Sequence, residues 1–206
     1  SKSIIRFPAW VDFDDFKDIQ INRNAQEKFQ ILFIGSVTDR KKPHLIVEAM
    51  NLLSKDNIEF LIVGPTPNLK YLDSLKSLIN SYSLVHNVKF FGSVDRKRVK
   101  TFYSEVNLMI LPSVSEGLAR VIFESQATAC PVLVTDAPGM GDIVIEGQTG
   151  YVFESNNVES LAKEIQHIEE NYEEAMHVGS NAKDFILNNY DYTHGYGGKR
   201  MIEKIL

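Results

Sequence analysis

Two glutamates eight positions apart, Glu116 and Glu124, bracket the stretch "SVSEGLARVIFESQA". Gly117 follows the first, and an apolar helix is expected to begin near Leu118. That places Glu116 at a helix N-terminus, with the free N–H groups of Leu118, Ala119 and Arg120 aimed at an anion and helped by the helix dipole. A carboxylate cannot hold an anion, so Glu116 beside such a site would read neutral hydroxyls by accepting their hydrogen bonds. Glu124 lies about 9 to 12 Å further along a helix that rises 1.5 Å per residue. It falls in the apolar run "VIFESQA", where an unpaired charge is costly. Two hydroxyl-reading carboxylates flanking an anion site fit a ligand of the form sugar, pyrophosphate, ribose. The plainer account makes Glu116 a helix cap and Glu124 a solvated face residue.

A second cluster suited to an anion is "GSVTDRKKP", residues 35–43. Gly35 and Lys41 keep P-loop spacing, but Arg40 stands at the second glycine and Lys42 at the Ser/Thr, so no Mg²⁺-ligating hydroxyl is present. What remains is a tight turn after a strand, then Arg40, Lys41 and Lys42 before a helix, an arrangement that suits phosphate. Gly64 and Gly92 end two other apolar runs, where the backbone turns sharply or lets a ligand approach.

Other spacings carry less. Gly139 and Gly141 form a G-x-G, but Val144 stands where a third Rossmann glycine belongs. Asp12-Phe13-Asp14 is a D-x-D without strand context, and the five histidines show no metal-ligand spacing. Cys130, the one cysteine, reads as a small core residue in a reducing compartment. "DRKRVK" from Asp95 reads as a solvated helix start, with anionic-lipid contact as the lesser reading. "EENYEEAMH" reads as an exposed acidic helix.

Elements must position these residues. Five apolar runs, beginning at Ile31, Phe60, Val88, Leu108 and Pro131, have the length and β-branched content of strands. Their unbroken apolarity predicts cover on both faces, as in a parallel sheet. Helical faces lie between them: Ile46, Ala49, Met50 and Leu53 after Pro43, then Leu72, Leu75, Ile79 and Tyr82, and later Val158, Leu161, Ile165 and Ile168. Alternating strand and helix predicts a doubly wound, Rossmann-like α/β sheet, with ligands outside the carboxyl ends of the strands. Residues 1–29 look like a polar linker, 30–190 the folded domain, and 191–206 a C-terminal helical segment.

Composition sets outer limits. The chain has 206 residues, 44% hydrophobic, enough for one sizeable core. Its net charge of −5 argues against a nucleic-acid surface spread over the whole protein. No apolar run approaches the roughly 18 residues of a membrane span, and no signal peptide is visible.

"LPSVSEGLARVIFESQATACPVLVTDAPGMGDIVIEGQTGYVF", with its E-x7-E element, resembles the donor-binding half of GT-B glycosyltransferases, above all the retaining family 4 (group 1). "FIGSVTDRKKPHLIVEAM" resembles that family's first strand and phosphate loop, and "VKFFGSV" its base-contacting strand. The resemblance covers roughly residues 30–190. It implies that Lys41 contacts the donor pyrophosphate, supported by the Gly35-Ser36 turn and Arg40, and that the amides of Leu118, Ala119 and Arg120 bind the distal phosphate and sugar. Glu116 would hold hydroxyls of the transferred hexose, Glu124 the ribose, and backbone near Gly92 and Val94 the base. Glu116 and Lys41 would be the catalytic pair.

No metal or other cofactor is implied, and UDP-sugar stands ahead of GDP-sugar as donor. Departures from the pattern are Ser36 for a common arginine, which Arg40 could replace, Ala129 for a common glycine, and Ser125-Gln126 for Ala-Met, the last two read as packing changes. The resemblance further implies an excised C-terminal half, whose glycan or lipid-linked acceptor binds a separate N-terminal domain, with little activity alone. It also implies a cytoplasmic enzyme of polysaccharide biosynthesis, with peripheral contact at the inner membrane face. The rivals are a noncatalytic nucleotide-sugar-binding or partner subunit, and a GT-B epimerase or phosphorylase.

Overall fold

The computed structural model describes residues 13–16, 18–23, 27–53, 57–117, 119–140 and 143–190. Six strands, β1 (Phe29–Ile34), β2 (Ile58–Val63), β3 (Val88–Gly92), β4 (Leu108–Leu111), β5 (Val132–Thr135) and β6 (Tyr151–Phe153), form one sheet in the order β3-β2-β1-β4-β5-β6. Every neighbouring pair is parallel. The helices are α1 (His44–Leu52), α2 (Leu69–Ser81), α3 (Arg96–Glu105), α4 (Arg120–Ala127), α5 (Val158–Glu170) and α6 (Tyr172–Tyr190). The chain starts at the sheet centre, winds out to β3, crosses back to lay β4 beside β1, and continues to β6. α1 packs on α2, and α3 meets α4 through Tyr103. α5 packs on α1 and α6 on α4. This is the expected doubly wound α/β sheet.

The apolar runs become strands because helices cover both their faces. β2, β4 and β5 are buried throughout, and β1 at all but Gln30. β3 departs from the expectation: it is an edge strand, exposed after Val88, with Phe90 and Phe91 partly in solvent. β6, three residues long, adds a strand beyond the five runs. The helical faces fall where the spacing puts them, with Ile46, Ala49 and Met50 buried in α1, Leu75 and Ile79 in α2, and Leu161, Ile165 and Ile168 in α5. Pro43 stands at the N-cap of α1 and not at its first helical position. Asn68, Asp95 and Asn157 open α2, α3 and α5, each accepting a hydrogen bond from a first-turn N–H.

The stretch expected to be a polar linker is anchored to the domain by Phe13, Phe16, Asp15 and Arg23, while Asp14, Asp18, Gln20, Ile21 and Asn22 are exposed. Phe13 and Phe16 are fully buried, and Phe16 meets the edge of Tyr103 at 6.1 Å between ring centres. Asp15 pairs with Arg96 at 2.6 Å and Lys100 at 2.5 Å, fixing the segment to α3. Arg23 is 4% exposed and donates to Val106 O at 3.0 Å and to Tyr103 O and Thr128 O at 2.8 Å. One guanidinium therefore satisfies carbonyls at the C-terminal ends of both α3 and α4, where helix dipoles favour a cation. The acidic stretch near Asn171 is not wholly exposed either, since Tyr172 stacks edge-on to Phe29 at 5.6 Å. Asp12 and the expected segment 191–206 lie outside the described residues.

Candidate active site

Strand order reverses between β1 and β4, and in such sheets the loops leaving the two strands open a crevice at their carboxyl ends. The β1 loop carries Gly35 through Pro43, and the β4 loop runs from Pro112 into α4. At the base of the first, Gly64 presses on Gly35: a Cβ on Gly64 would lie 2.1 Å from Gly35 O. Only glycine fits there, because φ is +134° as well.

Arg40 ties the two loops together. Its carbonyl accepts from Val114 N at 3.3 Å and Ser113 Oγ at 3.4 Å. Its guanidinium donates to Ser115 O at 2.8 Å and Glu116 Oε1 at 3.3 Å. Lys41 Nζ lies 2.5 Å from the same Glu116 oxygen, with the lysine side chain 14% exposed and the glutamate 7%. The loop after β5 closes the other side, where a Cβ on Gly139 would sit 2.4 Å from Glu116 O. Burial pushes the Glu116 carboxyl up, but hydrogen bonds from Lys41 and Ser113 and the charges of Lys41 and Arg40 more than offset it. Glu116 is held below the usual carboxylate range and stays ionised.

Of the expected site residues, then, the fold gathers Arg40, Lys41 and Glu116 into one cluster, with Gly35 and Ser36 half-buried at its base. The cations expected to meet an anion are paired to the carboxylate expected to read hydroxyls. Glu116 is not a helix cap: α4 begins at Arg120, two residues later than expected, and its N-cap Ala119 offers no side-chain cap. The first-turn N–H groups of α4 thus lack a side-chain cap, as an anion site needs. Leu118 lies outside the described residues. Because Glu116 precedes the helix, its spacing from Glu124 along a helix axis does not apply.

Glu124 belongs to a second cluster. It projects from α4 toward α3, where Tyr103 Oη lies 3.3 Å from Glu124 Oε2 and 3.3 Å from Val121 O. It is half-buried, so the solvated-face account fails. Burial pushes its carboxyl up, against the nearby charges of Arg120 and Arg96 and the bond from Tyr103. Gly92 and Val94 sit apart from both clusters, at the end of β3. Gly92 O accepts from Gly64 N at 2.8 Å, and Val94 is half-buried ahead of α3. β3 lies two strands from β1, roughly 10 Å at the usual spacing. The expected site residues thus fall in three places: the end of β3, the facing loops of β1 and β4, and the face of α4 turned to α3.

Three features escaped sequence reasoning. Tyr103 and Ser113, which touch the two glutamates, lie in apolar or loop runs with no signature. His44 Nδ1 and Tyr71 Oη, 2.7 Å apart, join the starts of α1 and α2 just after the β1 loop. The departures at 125, 126 and 129, read as packing changes, are all buried. Ala129 holds φ +54°, the left-handed conformation a glycine would favour, and its carbonyl stands where a Cβ on Gly179 of α6 would be 2.4 Å away. Gln126 is fully buried and donates to Thr149 O at 2.8 Å and Ile143 O at 3.3 Å, pinning the loop after β5, while Ser125 Oγ donates to Cys130 O at 3.4 Å. Among the described residues no group of three or more His, Cys, Asp or Glu side chains is placed to hold a metal ion. No helix there is long and apolar enough to cross a membrane.

Known proteins are similar in sequence and fold. The capsular polysaccharide biosynthesis glycosyltransferase CapM of Staphylococcus aureus is 24% identical over 186 residues, 85% of this chain and 48% of CapM. The crystal structure of a glycosyltransferase from Rickettsia africae superposes with a TM-score of 0.86 at 22% identity, covering 97% of this chain and 56% of that one. The structure of Anabaena Alr3699/HepE in complex with UDP and glucose gives a TM-score of 0.79 at 20% identity, covering 87% and 49%. The chain spans less than half the length of CapM and of two uncharacterised glycosyltransferases of Methanocaldococcus jannaschii that it also matches. The sheet is thus the α/β Rossmann-like fold of GT-B glycosyltransferases. The family described as glycosyl transferases group 1 matches residues 14–185, and the chain belongs to that family.

Proposed function

We propose that this chain is the C-terminal donor-binding domain of a retaining family 4 glycosyltransferase. It holds a UDP-sugar while its hexose passes to a glycan or lipid-linked acceptor carried by a separate N-terminal domain. The observation that carries the reading is the Arg40–Lys41–Glu116 cluster at the β1/β4 reversal, next to the uncapped start of α4. Arg40 supplies the second cation that Ser36 lacks. As the bond from the anomeric carbon to the β-phosphate oxygen breaks, the diphosphate leaves with the electron pair. Lys41, Arg40 and the first amides of α4 stabilise that charge, which is the largest contribution such a site can make. Glu116 accepts hydrogen bonds from hexose hydroxyls, Glu124 from the ribose, and backbone at Gly92 and Val94 from the base.

UDP in the Anabaena structure supports the nucleotide, and CapM's role in capsular polysaccharide biosynthesis supports a glycan product. The chain's share of its relatives' length supports an acceptor site outside it. Binding of UDP and pyrophosphate to wild type, Lys41→Ala and Glu124→Ala tests the assignment. Lys41→Ala should weaken both ligands about ten- to a hundredfold, the worth of a hydrogen bond to a charged group. Glu124→Ala should weaken UDP alone. If both variants bind like wild type, the site is elsewhere.

A further inference from the structure

Resting on the reading of Glu124 as the ribose contact, we propose that Tyr103 is the positioning residue that sets ribose recognition. No sequence motif marks it. Tyr103 projects from α3, is wholly buried, and is wedged against Phe16, whose ring stands edge-on 6.1 Å away. Its hydroxyl lies 3.3 Å from Glu124 Oε2 and from Val121 O, so its single proton is shared between the carboxylate and the α4 backbone. Burial pushes the phenol far above its usual range, so the group stays a donor.

The geometry gives that donor a task. Glu124 is the one carboxylate on α4, a glutamate has three side-chain torsions, and half-burial raises the cost of its charge. Left alone, it would swing to solvent or take up a proton. The hydroxyl favours the ionised form and fixes one oxygen, leaving the carboxylate oriented to accept from a vicinal diol. The rigid anchor is the aromatic ring. It is held by Phe16 from the N-terminal segment, and Tyr103 O itself accepts from Arg23. Residues that composition marks as a linker therefore support the ribose station from behind.

The test compares wild type with Tyr103→Phe, which keeps the ring and its packing. Affinities are measured for UDP, 2′,3′-dideoxy-UDP and pyrophosphate. Wild type should bind UDP more tightly than the dideoxy nucleotide. The variant should lose roughly three- to tenfold for UDP, as expected for one long hydrogen bond to a charged group, with the other two ligands unchanged. Tyr103→Leu should show the same selective loss together with a lower melting temperature. Full ribose discrimination in Tyr103→Phe would overturn the inference and leave the donor site standing. Equal weakening toward all three ligands would also overturn it, marking Tyr103 as structural only. A wild type that binds UDP and its dideoxy form alike would overturn the ribose reading beneath it.

Discussion

At the scale of single residues, the two glutamates are held in opposite electrostatic states, and each state has a pH consequence. Glu116 is depressed below its ordinary value of 4.5, so its ion pair adds stability above that pH and loses it as pH falls through the depressed value. Glu116→Gln should therefore melt lower than wild type at pH 7, with the gap closing below pH 4.5. Glu124 is raised above the same reference. Its folded form binds the proton more tightly than the unfolded chain, so ionised Glu124 costs stability at pH 7 and that cost fades as pH falls toward 4.5. Glu124→Gln should melt higher than wild type at pH 7, while binding UDP less tightly. A thermal melt series from pH 4 to 8 on the two variants checks both signs. The apolar run around Glu124 marks its charge as costly, but the ion pair that holds Glu116 low could not be read from the sequence. The difference lies in what the fold does to each: it brings up a lysine and an arginine from the β1 loop in one case, and buries the carboxyl in the other.

At the scale of elements, strands and helices place the site, and the contacts that lock it come from segments without a periodic pattern. Arg23 joins the ends of α3 and α4 through three carbonyls. Arg23→Ala would leave buried acceptors without partners and should cost about 3 kcal/mol or more in urea unfolding. Arg23→Lys should recover only part, since one ammonium replaces a wide planar fork. Gly139 is a second lock. A side chain there would push on Glu116 O and spread the loops after β4 and β5. Gly139→Ala should weaken a UDP-sugar more than UDP, because the proposed hexose contact moves while the ribose station does not. Five of six strands and three helical faces were legible because buried parallel strands and amphipathic helices repeat a pattern. β6 is too short to show one, and β3 looks like a buried strand though it lies at the edge, since apolarity does not reveal which neighbour is missing. The N-terminal segment hid its anchors for a related reason: Phe13, Phe16 and Arg23 are spaced to suit α3 and α4 and follow no period of their own.

At the scale of the whole molecule, the sheet acts as a ruler. β3, β1 and β4 end at successive points along one rim, so groups far apart in sequence can meet the parts of one proposed nucleotide-sugar donor. The motifs at residues 35–43 and 113–124 pointed to that rim. The contact between them followed only once β4 was laid beside β1. The direct measurement is the melting temperature of this chain in EDTA with UDP, UDP-sugars, GDP and ADP, for wild type and Lys41→Ala side by side. At about one hundred times its dissociation constant a ligand adds roughly 2.7 kcal/mol, a readily visible shift. Wild type should shift with UDP and a UDP-sugar and little with ADP, and Lys41→Ala should lose most of that shift. No shift with any nucleotide, or equal shifts in wild type and variant, would contradict the donor-domain reading.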